Sequence, residues 1–240
     1  MKVGVLICDH VQPSLQNKFG DYAGMFKQLF SEVDQNIELI NFYAVDGQLP
    51  EHIDSCDVYI STGSKASVND NIAWINALEA FIKQLYQANK IFIGICFGHQ
   101  LIAKALGGKV EQSNKGWGIG IATAVVEQSK PWMQPKQKQI KLIVSHQEQI
   151  SQLPPTCEVL MTSDFCPYSM IKVGQSFIGL QGHPEFSYGY SQALMNARKH
   201  IIPALRIKQG QESLIEHADN RLMMRWLLHF IGANLENNRQ

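Results

Sequence analysis

One stretch, residues 90–107, most constrains the fold of this 240-residue chain. It begins with a short apolar run, Ile91 to Ile95, whose β-branched and aromatic side chains are typical of a buried strand. Apolar residues then recur at helical spacing, and two glycines at 107–108 supply a helix stop. The stretch therefore predicts a buried strand that turns directly into a helix.

The turn between this strand and this helix places small residues on both sides of one thiol, Gly94-x-Cys96-x-Gly98. This spacing is typical of a sharp strand-to-helix elbow that strains its central residue. A thiol at a helix N-terminus is favoured as thiolate, because free N–H groups and the helix dipole stabilise negative charge. The alternative is an inert core cysteine, which is the usual state of a free Cys.

Predicted strands and amphipathic helices alternate through the first hundred residues. The strands cover residues 2–8, 37–43, 57–61 and 91–95, and apolar stripes indicate helices around residues 22–33 and 75–85. This alternation predicts an α/β fold, an open and mostly parallel sheet with helices on both faces. Ligands bind outside the carboxyl ends of such strands, where both Gly63 and Cys96 lie.

The pattern changes from about residue 110 to residue 181, where short β-prone runs replace the helices and predict a small antiparallel region of the same domain. C-terminal helices are expected over about residues 187–232. We expect two of them, one running from Tyr190 to Leu205 and one opening with the capping-box pattern Ser213-x-x-Glu216. No long linker interrupts the chain, so a single domain over residues 1–240 is expected.

Composition limits the classes of function. The chain has 21 basic and 21 acidic residues and no basic run, which argues against a nucleic-acid partner. No stretch approaches the ~20 apolar residues of a membrane span, so no membrane partner is expected. Residues 1–9 resemble a first strand rather than a signal peptide, because no small-residue cleavage site follows them.

Five scattered cysteines complete the picture, with no Cys-x-x-Cys pair and no zinc-type spacing. Reduced thiols in a cytoplasmic protein are the simplest interpretation. No metal site is predicted. The glycines at 116, 118 and 120 and the Gly63 loop match no nucleotide-binding motif, so no cofactor is expected.

A second informative motif is Gly182-His183-Pro184-Glu185. Proline disfavours the helical region for the residue before it, so His183 should be extended. Residues two apart in an extended segment point to the same side, so His183 and Glu185 share a face. A carboxylate in that position can orient an imidazole that activates a nucleophile. The alternative is a loop histidine beside a surface glutamate.

Taken together, these motifs resemble the class I glutamine amidotransferase family, and most closely its stand-alone members similar to the glutaminase domain of GMP synthase. The resemblance covers roughly residues 1–200. It rests on Gly94–Gln100, the Thr62–Ser67 loop, Ser145-His146 and Gly182–Glu185. It implies that glutamine or another γ-glutamyl compound is the substrate, that ammonia is released through a γ-glutamyl thioester on Cys96, and that a separate synthetase accepts the ammonia.

The resemblance also implies a role for each matching residue. Cys96, His183 and Glu185 would form a catalytic triad. The backbone N–H groups of Phe97 and of the Gly63-Ser64 turn would stabilise the oxyanion. Gln100 would contact the substrate, and Ser145-His146 would bind its amino-acid end.

One position departs from the family, which commonly has Gly-Gly-Pro where this chain has Gly63-Ser64-Lys65. Without the proline, the φ angle of residue 65 is not fixed in advance. One expectation is therefore that the oxyanion geometry forms only when substrate or a partner binds.

Two other functions remain open at this stage. The same machinery could hydrolyse γ-glutamyl peptides or conjugates without any ammonia acceptor. The chain could also be a non-enzymatic subunit of a synthetase complex, which the Gly63-Ser64-Lys65 departure alone favours.

Overall fold

Residues 1–237, which the computed structural model describes, form eleven strands and seven α-helices. The strands are β1 (Lys2–Leu6), β2 (Glu38–Phe42), β3 (Val58–Ser61), β4 (Ile91–Ile95), β5 (Lys109–Gln112), β6 (Gly118–Val126), β7 (Gln139–His146), β8 (Glu148–Gln152), β9 (Cys157–Thr162), β10 (Met170–Val173) and β11 (Phe177–Leu180). The helices are α1 (Pro13–Phe19), α2 (Tyr22–Ser31), α3 (Ala73–Gln87), α4 (Phe97–Ala105), α5 (Tyr188–Ala197), α6 (Ala204–Ser213) and α7 (Asn220–Asn237).

Nine of these strands form one sheet in the order β2-β1-β3-β4-β11-β10-β9-β6-β7. The five strands from β2 to β11 are parallel, and β4 pairs with β3 on one side and β11 on the other. The carboxyl ends of β3, β4 and β11 therefore lie side by side at one edge. The segments that follow these three strands carry Gly63, Cys96 and His183.

The remaining strands of the sheet, β10, β9, β6 and β7, are antiparallel, and β5 and β8 form a separate two-stranded antiparallel sheet. The predicted α/β fold with a small antiparallel region is thereby confirmed. β7 ends the nine-stranded order. The Lys141 carbonyl of β7 accepts from the Asp219 N–H at 2.7 Å, and the Lys141 N–H donates to the Asp219 carboxylate at 2.8 Å. The Ile143 carbonyl of β7 accepts from the His183 N–H at 2.8 Å.

Helices cover both faces of the sheet and define two apolar cores. On one face, α2, α5 and α7 bury large side chains such as Phe26, Tyr190 and Trp226. On the other face, α3 and α4 bury Leu78 and Leu101 against the sheet. Each such side chain contributes roughly 1.5–3 kcal/mol when it is removed from water. Within residues 1–237, no helix has the length and apolar character needed to cross a membrane.

The C-terminal region differs from its prediction. Three helices, α5, α6 and α7, occupy residues 188–237 instead of two. The expected helix from Tyr190 to Leu205 is divided, because α5 ends at Ala197 and Leu205, which is 69% exposed, lies in α6. Pro203 is the N-cap of α6 and has no N–H with which a helix could continue through it. The predicted capping box at Ser213 is wrong, because no helix begins there. Ser213 ends α6, and its hydroxyl donates to the Gly210 carbonyl and accepts from the Ile121 N–H.

Candidate active site

Cys96 lies at a strained turn between β4 and α4. Its φ of 48° and ψ of −94° lie in a region that residues with a side chain rarely adopt. The turn is closed by two contacts that leave no room for a Cβ. A Cβ on Gly94 would overlap the backbone of Gly98, and a Cβ on Gly98 would overlap the Ser61 hydroxyl. The obstruction at residue 94 is backbone, so only glycine fits there, whereas a side chain at residue 98 would require Ser61 to move.

The backbone around Cys96 joins two neighbouring strand ends. The Cys96 N–H donates to the Leu180 carbonyl at 2.8 Å, and the Cys96 carbonyl accepts the first helical hydrogen bond of α4 from Gln100 at 3.0 Å. The Cys96 residue is 6% exposed. Its thiol therefore stands at the N-terminus of α4, where unpaired N–H groups favour negative charge.

His183 and Glu185 form a buried pair beside this turn. The His183 Nδ1 lies 2.7 Å from Glu185 Oε1, and because a carboxylate only accepts, Nδ1 carries the hydrogen. The His183 ring also stacks on Phe186, with centroids 4.0 Å apart and planes 8° from parallel. Within residues 1–237, no polar atom pairs with His183 Nε2. The ring is thus held on two sides, and Nε2 remains available for chemistry.

The thiol and the imidazole approach the same point of the chain. A Cβ built on Gly63 would lie 2.7 Å from His183 Cε1 and 3.4 Å from Cys96 Cβ. Burial on its own would lower the pKa of His183, but the negative charges of Glu185 and Cys96 raise that pKa to about 10. The arrangement favours the protonated form of the His183 imidazole.

Two backbone segments beside the thiol carry N–H groups that no acceptor occupies. Among residues 1–237, neither Gly63 nor Ser64, which follow β3, nor Phe97, which begins α4, donates its backbone N–H to a hydrogen bond. Free N–H groups of this kind can stabilise an oxyanion that develops next to Cys96.

The three residues expected to bind substrate lie together. Gln100 donates to the Glu148 carbonyl at 2.8 Å and to Gln181 at 3.2 Å. His146 Nδ1 pairs with the same Glu148 carbonyl at 3.0 Å, and burial lowers the pKa of His146 to about 4, so its ring is neutral. The Ser145 hydroxyl accepts from Arg198 at 2.9 Å.

These residues border a cavity of about 370 Å³. Of the predicted site residues, Ser64, Cys96, Gln100, Ser145 and His146 line it, whereas Gly63, Phe97, His183 and Glu185 lie outside its lining. The cavity also exposes charged side chains of both signs, namely Lys65, Asp70, Glu148 and Arg198. Within the described part of the chain, no group of three or more His, Cys, Asp and Glu side chains could hold a metal ion.

The chain matches the family model described as glutamine amidotransferase class-I over residues 24–201. It belongs to the class-I glutamine amidotransferase family.

Several relatives in this family illustrate its range. Gamma-glutamyl peptidase 4 of Arabidopsis thaliana is 32% identical over 176 residues, which cover 70% of this chain and 69% of that protein. A GMP synthase (glutamine-hydrolyzing) subunit of Pyrococcus abyssi is 32% identical over 111 residues, which cover 46% of this chain and 58% of that protein. The crystal structure of a glutamine amidotransferase from Thermotoga maritima has a TM-score of 0.75 at 20% identity, covering 96% of this chain and 97% of that one.

The position where this chain departs from the Gly-Gly-Pro common in its family is fixed by a buried carboxylate. Asp9, which is 6% exposed, accepts the Lys65 backbone N–H at 2.9 Å and pairs with the Lys65 ammonium at 3.1 Å. Thr62 adds a second link, because its hydroxyl accepts the Cys8 N–H at 2.9 Å. Proline has no N–H, so the link to Asp9 exists only because residue 65 is not proline.

Sequence reasoning missed three residues of this candidate site, Asp9, Glu148 and Arg198. Asp9 follows β1, so the rule that ligands bind outside the carboxyl ends of parallel strands could have found it. Glu148 lies two residues after His146, close to a motif that was recognised. Arg198 caps the end of α5 and has no nearby motif, so no sequence signal pointed to it.

Proposed function

We propose that this protein hydrolyses γ-glutamyl amides, with Cys96 as the nucleophile, His183 as the base and Glu185 as the orienting acid. The observation that carries the proposal is the approach of Cys96 and His183 to the same point beside Gly63, with Glu185 hydrogen-bonded to the far side of the imidazole. Family membership makes the γ-glutamyl group the natural acyl group.

The chemistry follows from the charges of the site. The Cys96 thiolate attacks the γ-carbonyl carbon, and the C–N bond then breaks as His183 transfers its Nε2 proton to the leaving nitrogen. This step leaves a γ-glutamyl thioester. Water attacks the thioester, His183 takes a proton from the water, and the C–S bond breaks to release glutamate and the thiolate.

The oxyanion that forms in both steps needs donors that are already in position. The free N–H groups of Phe97 and Ser64 are the candidates, since both flank Cys96 and neither has an acceptor within residues 1–237. One such donor contributes roughly 3–4 kcal/mol of transition-state stabilisation in other acyl-transfer enzymes.

Two leaving groups are compatible with this machinery. Ammonia from glutamine, passed to a separate synthetase, is the version that the similarity to the GMP synthase subunit supports. An amino acid or peptide is the version that the gamma-glutamyl peptidase relatives support. The similarity to peptidase 4 covers 70% of this chain, against 46% for the GMP synthase subunit, which favours the peptide substrate.

Incubation of the protein alone with glutamine and with γ-glutamyl-alanine, followed by glutamate assay, tests the proposal. We expect hydrolysis in the wild type and none in Cys96→Ala. Faster turnover of the dipeptide supports a peptidase, and turnover of glutamine alone supports an ammonia donor. Equal activity in Cys96→Ala, or no hydrolysis of either compound, contradicts the proposal and favours a non-enzymatic subunit.

A further inference from the structure

Arg198 places a guanidinium on the wall of the cavity that also contains Cys96. Its Nη1 donates to the Ser145 hydroxyl at 2.9 Å, and its guanidinium carbon lies 5.7 Å from the centre of the Trp117 ring. Both partners also line the cavity. The side chain is therefore held in one orientation, and within residues 1–237 its remaining N–H groups donate to no other group and can bind a ligand.

No carboxylate of residues 1–237 neutralises Arg198. Lys65 lines the same cavity, but its ammonium is already paired with Asp9. A fixed and unneutralised guanidinium that lines the same cavity as Cys96 is suited to a planar anion, because its N–H groups match the two oxygens of a carboxylate.

The opposite charge is present in the same cavity. Glu148 lines it, and its carboxylate is fixed by the Ser67 hydroxyl at 2.7 and 2.9 Å. A cavity that offers one oriented guanidinium and one oriented carboxylate complements a zwitterion. The α-carbon of a γ-glutamyl compound carries this pair of charges, an ammonium and a carboxylate. A short methylene chain separates the α-carbon from the reacting carbonyl.

We propose that Arg198 is a substrate-binding residue that holds the α-carboxylate of the γ-glutamyl group and so selects γ-glutamyl compounds over other amides. This inference rests on the proposed function. Glu148 in the same cavity distinguishes the α-carboxylate from a carboxylate of the leaving group, because only the α-carbon also carries an ammonium, whereas the amine of a leaving amino acid is acylated and uncharged.

Covalent labelling of Cys96 tests this assignment without depending on the natural leaving group. Three diazoketones form a matched series. 6-Diazo-5-oxo-L-norleucine has both α-charges, 6-diazo-5-oxohexanoate keeps only the carboxylate, and 1-diazopentan-2-one has neither. Rates of Cys96 modification are measured by intact-protein mass spectrometry, with iodoacetamide as a probe of the thiol alone.

We expect Arg198→Met to slow the first two reagents by about 10- to 100-fold, the loss typical of a hydrogen bond to a charged group. The rates with 1-diazopentan-2-one and iodoacetamide should stay within about twofold of wild type. Arg198→Lys keeps the positive charge but loses the planar pair of N–H donors, so the rates of this variant should lie between those of wild type and Arg198→Met. Lys199→Met, which removes an exposed charge from the neighbouring residue, is the matched control and should leave all rates unchanged.

Each other outcome is decisive. If 6-diazo-5-oxo-L-norleucine modifies wild type and Arg198→Met at the same rate, the inference is wrong while the proposed function stands. If this reagent does not modify wild-type Cys96 although iodoacetamide does, both fail. If Arg198→Met does not fold, Arg198→Gln carries the test, because it keeps a long polar side chain but removes the positive charge, and unchanged discrimination between the reagents with and without a carboxylate in that variant contradicts the inference.

Discussion

The Asp9 carboxylate connects β1 to the loop after β3, because one of its oxygens accepts the Lys65 backbone N–H at 2.9 Å and the other pairs with the Lys65 ammonium at 3.1 Å. The loop that carries the free N–H of Ser64 is thus fixed from the side of the buried sheet, without the proline of the family pattern. In the proposed mechanism, in which the Ser64 N–H stabilises the oxyanion, this contact makes Asp9 a positioning residue.

Replacing Asp9 should therefore impair catalysis more than binding. In Asp9→Ala we expect kcat to fall about 10- to 100-fold with KM nearly unchanged, because a misplaced oxyanion donor weakens only the transition state. Asp9→Asn keeps an acceptor for the N–H and should lose much less. Lys65→Met keeps the backbone N–H and removes only the ion pair with Asp9. Because the Lys65 side chain is 67% exposed, kcat should fall only slightly in this variant. Steady-state kinetics with γ-glutamyl-alanine measure all three, and a fall in kcat/KM caused by KM alone in Asp9→Ala would refute this role.

Glu185 should control the protonation of His183. Glu185→Gln removes the negative charge that most strongly raises the pKa of His183 above 6.5, so this pKa should fall from about 10 toward its ordinary value. Titration of the imidazole nitrogens by ¹⁵N NMR measures the change. Cys96→Ser, which removes the second negative charge, should lower the His183 pKa by a smaller amount. A larger effect of Cys96→Ser than of Glu185→Gln would reverse the assignment of the dominant charge.

In Cys96→Ala, where no thiol proton offsets the one on His183, three buried histidines should give the free energy of unfolding a maximum near pH 6.5. Burial lowers the pKa of His99 to about 3 and of His146 to about 4. Below about pH 6.5 the unfolded chain therefore binds protons that the folded chain does not, and the free energy of unfolding decreases as the pH decreases. His183 has the opposite sign. Its raised pKa stabilises the fold fully below about pH 6.5, and this contribution is lost as the pH rises toward 10.

Urea unfolding of Cys96→Ala between pH 5 and 8 measures both limbs, with slopes on the order of 1 kcal/mol per pH unit for each group. The thiol is removed because a proton lost from Cys96 on folding would offset the proton that His183 keeps. His183→Gln in the same background should flatten the alkaline limb and leave the acid limb in place. A stability that keeps rising from pH 7 to pH 8 in Cys96→Ala would contradict a His183 pKa that Glu185 raises.

The elbow should tolerate no side chain at residue 98 unless Ser61 gives way. Gly98→Ala drives a methyl group into the Ser61 hydroxyl and should cost about 1–3 kcal/mol of unfolding free energy or more. Ser61→Gly removes the obstruction, so the double variant should recover much of that loss. A double-mutant cycle by urea unfolding quantifies the coupling. Additive effects of the two substitutions would show that the contact does not limit the turn.

Local signals predicted the centre of this fold well. The apolar run before Cys96 and the helical spacing after it both lie within one short segment, and the observed β4 and α4 follow them closely. The C-terminal helices were predicted less well, because Ser213 offered a capping pattern while its hydroxyl instead binds the distant Ile121 N–H. The contacts of Asp9 with Lys65 and of Arg198 with Ser145 span more than fifty residues, so periodicity and motif spacing could not reveal them.

The outer edge of β7 has a consequence for behaviour in concentrated solution. An exposed edge strand is a template on which a second molecule can add a strand and start aggregation. Here the Asp219 backbone and carboxylate occupy the edge at Lys141, and the His183 N–H occupies it at Ile143. The segment that carries the imidazole therefore also shields the sheet, so mutations that loosen this segment should promote self-association as well as reduce turnover.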